Sequence, residues 1–353
     1  MKSRIYSSVA ALLLATSSYA DAQNLTTFRV VKANANLNIG EDVFMMAVPK
    51  QLGYFKEEGL NVELLPAQGG AQAGQIMITG GAEAASILAE AILKIRESNG
   101  DIVGFYTLKQ NNGFSIGVLP GSPIKTLADL PGKKIGFGQA GAGSDQLLTR
   151  QLRNMGIQGN FTPISLGYGA QVATGVKSGQ VDGLFFWDSL YAIMSNQGLK
   201  LNHIEVPIQD ELAGFQLAFR SDYAQKNADK IIGYCRAMSK AYQFALTNPK
   251  AAVELFYKEF PSTIPAGKDL GAAVTDGVVI LQAWLKSATS KLPEGTAPGI
   301  EFKERWENSQ KTYRDLGVLK GDSDVTKAYT TEYYDKCNNF DRAAIIAQAK
   351  AMK

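Results

Sequence analysis

The feature that most restricts the fold of this chain is a strand–loop–helix junction at residues 133–148, with the sequence KKIGFGQAGAGSDQLL. Residues 134–137 predict a short strand, and glycines follow them at once. Leu148, Leu152 and Met155 then recur at the spacing that places one apolar stripe of a helix on a core. A chain that contains such a βα unit is expected to form a sheet covered by helices.

The loop of this junction has the composition of a ligand-binding turn. It contains Gly138, Gly141 and Gly143, while Ser144 is placed to cap the helix and Gly156 to end it. The first amides of a helix lack intrahelical partners, and the peptide dipoles place about half a unit of positive charge there. Glycines let a ligand approach the backbone, so we expect the loop to bind an anionic or hydrogen-bond-accepting group. A plain tight turn with hydrated amides is the alternative.

Two nucleotide-binding motifs can be tested on the same stretch. Gly136–Gly141 matches G-x-G-x-x-G, but a dinucleotide site also needs an acidic residue about 20 positions further on. Residues 156–169, which include the next predicted strand, contain no Asp or Glu. A phosphate-binding P-loop ends in Gly-Lys-Ser/Thr, whereas this chain has Gly143-Ser144-Asp145. The pattern therefore argues against both kinds of nucleotide site.

Strand and helix patterns alternate through the first two thirds of the chain, which predicts parallel sheets covered by helices. Two polar segments, 109–113 and 207–213, lie between apolar strands and are interpreted as crossings between two lobes. Lobe I is expected to comprise residues 23–112 and 210–353, and lobe II residues 113–209. Because α/β sheets bind ligands at the carboxyl ends of their strands, a cleft between the lobes is the expected site.

The amino-terminal 22 residues have the pattern of a cleavable export signal. Lys2 and Arg4 precede a short apolar run at 9–15, and small residues near Ala20 and Ala22 suit a cleavage site. The apolar run is too short to span a bilayer, and no Cys lies near the cleavage point to carry a lipid. We expect an exported protein without membrane insertion after cleavage. The balance of 36 Lys and Arg against 33 Asp and Glu gives no indication of a nucleic-acid partner.

Cysteine and histidine are scarce. Cys235 and Cys337 could pair in an oxidising compartment or remain two separate buried thiols, and the sequence leaves both possibilities open. His203 is the one histidine and lies in a predicted strand. One histidine is too few for a His-based zinc site, so we expect no metal and no cofactor.

Three motifs resemble a known family. They are Gly53–Leu64 (GYFKEEGLNVEL), Ile124–Gly136 (IKTLADLPGKKIG) and Ser178–Asp182 (SGQVD). Their order and spacing are similar to those of the periplasmic solute-binding proteins of ABC importers, in the nitrate/sulfonate/taurine and pyrimidine-precursor family. The resemblance extends from about residue 28 to residue 219.

The resemblance implies a type II periplasmic binding protein fold, with two doubly wound lobes joined by two crossings and a helical C-terminal tail. It also implies a periplasmic monomer that captures a small organic solute by hinge closure and delivers it to a permease and an ATPase. The loops that match the family's binding loops would supply the solute contacts Asn36, Asn38, Gly80, Gly81, Gln110, Asn111, Gly141, Gly143, Ser144, Tyr168, Trp187 and Asp188.

Charge at these loops bears on the solute. Asp145 follows the predicted anion site directly, no Arg lies in the cleft loops, and Lys109 is the nearest fixed cation. A strongly charged inorganic anion is therefore less favoured than an organic acid, a sulfonate or a polar heterocycle. We expect its carboxylate or sulfonate group to lie at residues 141–144.

Two other functions compete with transport. A pyrimidine-synthesising enzyme shares the fold, but its members carry a cysteine-rich iron motif and a cleft histidine, which this chain does not match. Gly113–Gly117 fits the hydrolase motif G-x-S-x-G, yet it opens a predicted strand, whereas that motif acts at a strand-to-helix turn. We therefore expect no enzymatic activity. A solute-sensing module for a membrane receptor is the third hypothesis.

Overall fold

A computed structural model describes residues 24–138, 140, 144–167, 169–321 and 323–352. Within these residues ten strands form two five-stranded sheets. The strands are β1 (Thr26–Lys32), β2 (Leu60–Pro66), β3 (Ala84–Leu88), β4 (Ile102–Lys109), β5 (Phe114–Val118), β6 (Lys134–Phe137), β7 (Thr162–Ser165), β8 (Gly183–Trp187), β9 (Asn202–Glu205) and β10 (Phe215–Arg220). The predicted signal segment, residues 1–22, lies outside the described residues.

Helices connect and cover the strands. They are α1 (Val48–Gln51), α2 (Tyr54–Glu57), α3 (Gly70–Ile78), α4 (Ala89–Glu97), α5 (Ser144–Asn154), α6 (Gln171–Lys177), α7 (Asp188–Asn196), α8 (Ser221–Thr247), α9 (Pro249–Glu259), α10 (Leu270–Ala288), α11 (Lys303–Asp315), α12 (Tyr334–Cys337) and α13 (Arg342–Ala351). A π-helical segment at Val43–Ala47 precedes α1, and short 3₁₀ turns occur at Leu127–Asp129, Pro207–Glu211, Pro261–Thr263 and Val325–Lys327. No helix of the described residues is long and apolar enough to cross a membrane.

The first sheet has the order β2-β1-β3-β10-β4 and the second the order β7-β6-β8-β5-β9. Each sheet was expected to be parallel, but each contains one strand that runs against its neighbours. In the first sheet this strand is β10, and in the second it is β5. Both strands follow a crossing from the other sheet, so the chain enters them without the helical crossover that a parallel neighbour requires. The two-sheet α/β fold class itself is confirmed.

The carboxy-terminal helices pack on the first sheet and supply much of its core. On α8, the Tyr234 ring stacks on Phe28 of β1 with ring centroids 5.0 Å apart and on Phe55 with centroids 5.7 Å apart. Cys235, also on α8, forms a disulfide with Cys337 of α12 across 102 residues. This resolves the question that the sequence left open, and both cysteines are completely buried.

The β6–α5 junction is found at the predicted place. The strand is Lys134–Phe137, Leu148 and Leu152 are buried, and Gly156 has a left-handed φ of 70°. Met155 was expected in the apolar stripe but is 51% exposed. The helix ends at Asn154, so Met155 lies in the turn beyond it and no longer follows the helical spacing.

Candidate functional site

The carboxyl ends of the two sheets face each other. Lys109 is the last residue of β4 in the first sheet, and Asp188 begins α7 directly after β8 of the second. The Nζ atom of Lys109 lies 2.8 Å from Oδ1 of Asp188. Both side chains are largely shielded from solvent, and the ring of Trp284 on α10 lies beneath the ammonium at 5.9 Å. This ion pair joins the two sheets beside the first crossing, where the cleft was predicted.

The loop after β1 is held by a buried ionic cluster that was not predicted. Lys32, Glu41 and Asp42 are each at most 5% exposed. The Lys32 ammonium contacts Oδ2 of Asp42, lies 3.4 Å from Oε1 of Glu41 and donates to the carbonyl oxygen of Asn36 at 3.1 Å. Ser86, on the neighbouring strand β3, donates to Oε2 of Glu41 at 3.2 Å. We call Lys32, Glu41 and Asp42 the acid–base cluster.

One ammonium serves two carboxylates in this cluster, so the cluster has an excess negative charge whenever both carboxylates are ionised. Burial and the neighbouring Glu41 raise the pKa of Asp42 to about 7, although Lys32 opposes the shift. Oδ1 of Asp42 is buried without a hydrogen-bond partner among the described residues, which agrees with a carboxyl group that takes up a proton readily.

The two predicted asparagines of this loop have different roles. The backbone amide of Asn38 donates to Oδ2 of Asp42 at 2.7 Å, and its side-chain amide donates to Oε1 of Glu41 at 3.1 Å. Asn38 is therefore occupied in shaping the loop. Asn36 is exposed, as is its neighbour Leu37, so these two side chains remain accessible at the cleft.

Gln110 and Asn111 were expected to contact solute, but the side chains of both form hydrogen bonds within the protein, at the crossings between the sheets. Gln110 is 1% exposed; its side chain donates to the carbonyl of Ile300 at 3.0 Å and accepts from Arg305 at 2.7 Å. Asn111 donates to Oδ1 of Asp210 in the second crossing at 2.6 Å. Because polar side chains in a crossing satisfy nearby backbone and charged groups first, composition alone does not distinguish them from ligand donors.

Gly80 and Gly81 do not join the other predicted residues. They precede β3, whereas the cleft lies at the carboxyl end of that strand. The carbonyl oxygen of Gly80 instead accepts from the guanidinium of Arg29, on the side of the amino-terminal end of β3. The match to the family's binding loops selected these two glycines, and their position before β3 separates them from the other predicted residues.

In the second sheet, Ser144 begins α5 at the carboxyl end of β6. The backbone amide of Ala140 donates to the hydroxyl of Ser165, at the end of β7, at 3.0 Å. Gly141, Gly143 and Tyr168 lie outside the described residues. Trp187 ends β8, is partly buried, and meets the edge of the Phe114 ring at a centroid distance of 6.0 Å.

Leu88 is an apolar residue at the cleft that sequence reasoning missed. It ends β3, is 38% exposed and pairs in register with Phe215 of β10. Leu37, also 38% exposed, follows the neighbouring strand β1. A leucine at the carboxyl end of a strand resembles any core residue in the sequence, and only its exposure in the fold distinguishes it.

Gly113 allows the chain to pass close to the Lys109–Asp188 ion pair. Its φ is 76°, and a Cβ atom there would lie 2.4 Å from Oδ2 of Asp188 and 2.8 Å from Nζ of Lys109. We expect Gly113→Ala to destabilise the protein by about 2–4 kcal/mol, because backbone strain and a clash with a buried ion pair add together. Chemical denaturation measures the effect.

Gly121→Ala is the matched control, because Gly121 also has a left-handed φ, 86°, but open space where its Cβ would lie. Gly121→Ala should lower the free energy of unfolding by only about 1 kcal/mol, because it introduces backbone strain without a clash. Equal losses for the two variants would contradict the close approach described for Gly113.

Solved structures with the same arrangement identify the fold. The periplasmic aliphatic sulphonate binding protein SsuA of Escherichia coli superposes with a TM-score of 0.66, at 20% identity, over 85% of this chain and 91% of that one. The periplasmic nitrate-binding protein NrtA of Synechocystis PCC 6803 superposes with a TM-score of 0.59, at 14% identity, over 93% and 99%. The chain thus has the periplasmic binding protein fold, with its additional carboxy-terminal helices.

The family follows from the sequence comparison. The NMT1/THI5-like family model matches residues 41–252, and the chain belongs to this family. A curated relative, provisionally named as an aliphatic sulfonates-binding protein of Escherichia coli (strain K12), is 34% identical over 143 residues. That match covers 40% of this chain and 44% of the relative, less than half of its length. The family resemblance inferred from the three motifs is confirmed.

Proposed function

We propose that this protein is the substrate-binding component of an ABC importer and captures a small organic anion, a sulfonate or a carboxylate, between its two sheets. The observation that carries the proposal is that exposed apolar side chains and a helix start occur at the carboxyl ends of strands in the two sheets. Leu37 and Leu88 are exposed at the carboxyl ends of β1 and β3, and Ser144 begins α5 after β6 of the second sheet. An organic anion matches both surfaces, with its charged group at the helix start and its apolar part at the leucines.

The charges at the cleft support a solute held by neutral donors. Lys32 is paired with Glu41 and Asp42, and Lys109 with Asp188. Both ammonium groups are therefore compensated by carboxylates of the protein itself. Backbone amides and hydroxyls can bind a singly charged anion by hydrogen bonds in a site closed from water, and no cationic side chain is then required.

We further propose that the protein works by closure of two lobes around the solute. Lobe I comprises residues 23–112 and 210–353, lobe II residues 113–209, and residues 1–22 direct export to the periplasm and are then removed. The solute bridges the lobes and shifts the population toward the closed form, because it makes additional contacts there. The closed monomer then delivers the solute to the permease and ATPase subunits.

An enzymatic function has less support. Cys235 and Cys337 are bonded to each other, so neither thiol is available as a metal ligand or nucleophile. The hydroxyl of Ser115, in the G-x-S-x-G match, lies 3.3 Å from Nδ1 of His203, but the two residues lie on neighbouring antiparallel strands. That geometry is a cross-strand polar contact and not the strand-to-helix turn that presents a nucleophile.

The test is a thermal-shift screen of 1-butanesulfonate, taurine, butyrate and nitrate, followed by calorimetric titration and small-angle scattering. An organic anion should raise the melting temperature and contract the particle, since binding to the folded state stabilises it by mass action. Ser144→Glu should weaken the binding about tenfold or more, because it places a carboxylate at the helix start.

Ala343→Glu provides the control for this variant, since it adds the same charge to the first turn of α13, at an exposed position. It should leave the affinity unchanged. Equal affinities of Ser144→Glu and the wild type would contradict the placement of the anion. A screen in which none of the three organic solutes binds, or in which only nitrate binds, would contradict the solute class.

A further inference from the structure

The second sheet is held by the carboxy-terminal helices on both of its faces. Its two faces have separate cores: Leu148 and Leu152 of α5 lie in one, and Tyr191 and Met194 of α7 lie in the other. Helices α5 and α7 therefore cover opposite faces of the sheet. Each of them contacts a different carboxy-terminal helix.

On the α7 face the contact is a helix–helix packing. Helix α10 packs along α7, and the side-chain amide of Asn196 donates to the carbonyl of Asp276 at 2.9 Å. The carboxyl end of α10 also holds the first crossing, because the amides of Gln110 and Asn111 donate to the carbonyls of Ala288 and Ser287 at 3.2 and 3.1 Å. Helix α10 thus contacts both the first crossing and helix α7 of the second sheet.

On the α5 face of the second sheet, an ion pair joins α5 to the carboxy-terminal helix α11. Nη2 of Arg150 on α5 lies 2.5 Å from Oδ2 of Asp315, the last residue of α11. The two side chains are 25% and 36% exposed. The amino-terminal half of α11 holds the second crossing, where the amide of Ala213 donates to the hydroxyl of Ser309 at 2.9 Å.

These two attachments differ in strength. Packing between two helices excludes water along several turns, whereas a half-exposed ion pair contributes little and is screened by salt. When the lobes separate, the weaker attachment is the one that breaks. The α7–α10 side then stays together with the crossings and serves as part of the hinge.

We propose that Arg150 and Asp315 form a latch that holds the lobes closed on the α5 face of the second sheet. The proposal rests on the hinge closure of the proposed function and adds one contact that favours the closed form. Arg150 lies within two turns of Ser144 on the same helix, so a solute at the start of α5 and the latch act on one rigid element. A solute that draws α5 toward the first sheet also brings Arg150 to Asp315.

Distances between spin labels at Arg153→Cys on α5 and Lys311→Cys on α11, measured by double electron–electron resonance in ligand-free protein, test the latch. Both positions are exposed, and the native cysteines are bonded to each other, so the labels react only at the new thiols. We expect Arg150→Glu or Asp315→Lys to lower the closed-to-open ratio about threefold or more and to lengthen the distance. The double reversal should restore most of the closed population.

Lys50→Glu is the control, because its ion pair with Glu259 joins two helices that both pack on the first sheet. It should leave the distances unchanged. Identical distributions for the wild type and the single variants, a double reversal that behaves like the singles, or a shift in the control would each overturn the latch. The measurement uses no solute, so its outcome is separate from that of the solute screen.

Discussion

Replacing Lys32 by methionine should cost about 3–5 kcal/mol of unfolding free energy at pH 8, because it leaves two buried carboxylates without a cation. Lys32 is 2% exposed, and Glu41 and Asp42 are 5% and 0% exposed. Methionine fills the space of the lysine stem, so the loss reports mainly on charge. Urea denaturation of the variant and the wild type measures it.

The loss should depend on pH in a defined direction. The folded-state pKa of Asp42 is raised to about 7 from an ordinary value of 3.8, so this carboxyl's contribution to stability is present at low pH and is lost as the pH rises from about 4 to 7. Without Lys32 the ionised forms become still less favourable. We therefore expect a smaller destabilisation by Lys32→Met at pH 5 than at pH 8.

Lys50→Met is the control for this prediction. Lys50 also forms an ion pair, with Glu259 at 2.6 Å, but its side chain is 53% exposed. Exposed pairs contribute at most about 1 kcal/mol, and the control should lose no more than that at either pH. A loss for Lys32→Met below about 1 kcal/mol, or one equal at both pH values, would show that the acid–base cluster does not carry the charge described.

Removal of the disulfide should have an effect of similar size. The Cys235–Cys337 bond closes a loop across 102 residues, and the loop entropy of the unfolded chain predicts a loss of about 3–5 kcal/mol for Cys235→Ala/Cys337→Ala. The bond also joins the short helix α12 to the core helix α8. Denaturation with and without a reducing agent measures the loss.

The reducing agent provides an internal comparison. It should lower the stability of the wild type toward that of the double variant and leave the double variant unchanged. Equal stability of the oxidised wild type and the double variant would mean that the bond does not restrict the unfolded chain. A single Cys235→Ala variant should resemble the double variant, because either change removes the bond.

The sequence predicts the elements of this fold well, because each is specified by nearby residues. The β6–loop–α5 junction is an example, with its strand bounds, buried leucines and left-handed Gly156 all at the predicted positions. The antiparallel direction of β5 and β10 was missed, since it depends on the order in which the chain enters the sheets and not on strand composition.

The candidate site is less predictable from the sequence, because its side chains form hydrogen bonds and ion pairs with residues that are distant in the sequence. Gln110 looks like a ligand donor until Arg305 and Ile300 are found against it, and both come from a region nearly two hundred positions away. Lys32, Glu41 and Asp42 are the opposite case, because nothing in the sequence singles them out and the structure shows them in a buried cluster. These charged residues resemble surface residues in the sequence, and only the folded structure shows that they are buried, with Ser86 of β3 donating to Glu41.

The position of β10 has a consequence for the order in which the molecule can assemble as the chain emerges, amino terminus first. Strand β3 is complete at Leu88, but its neighbour β10 starts at Phe215. All strands of the second sheet are synthesised in the interval, so that sheet can form while the edge of β3 still lacks its partner. An unpaired edge invites wrong pairing between chains. The emerging polypeptide is therefore most prone to self-association after β3 has emerged and before β10 follows it.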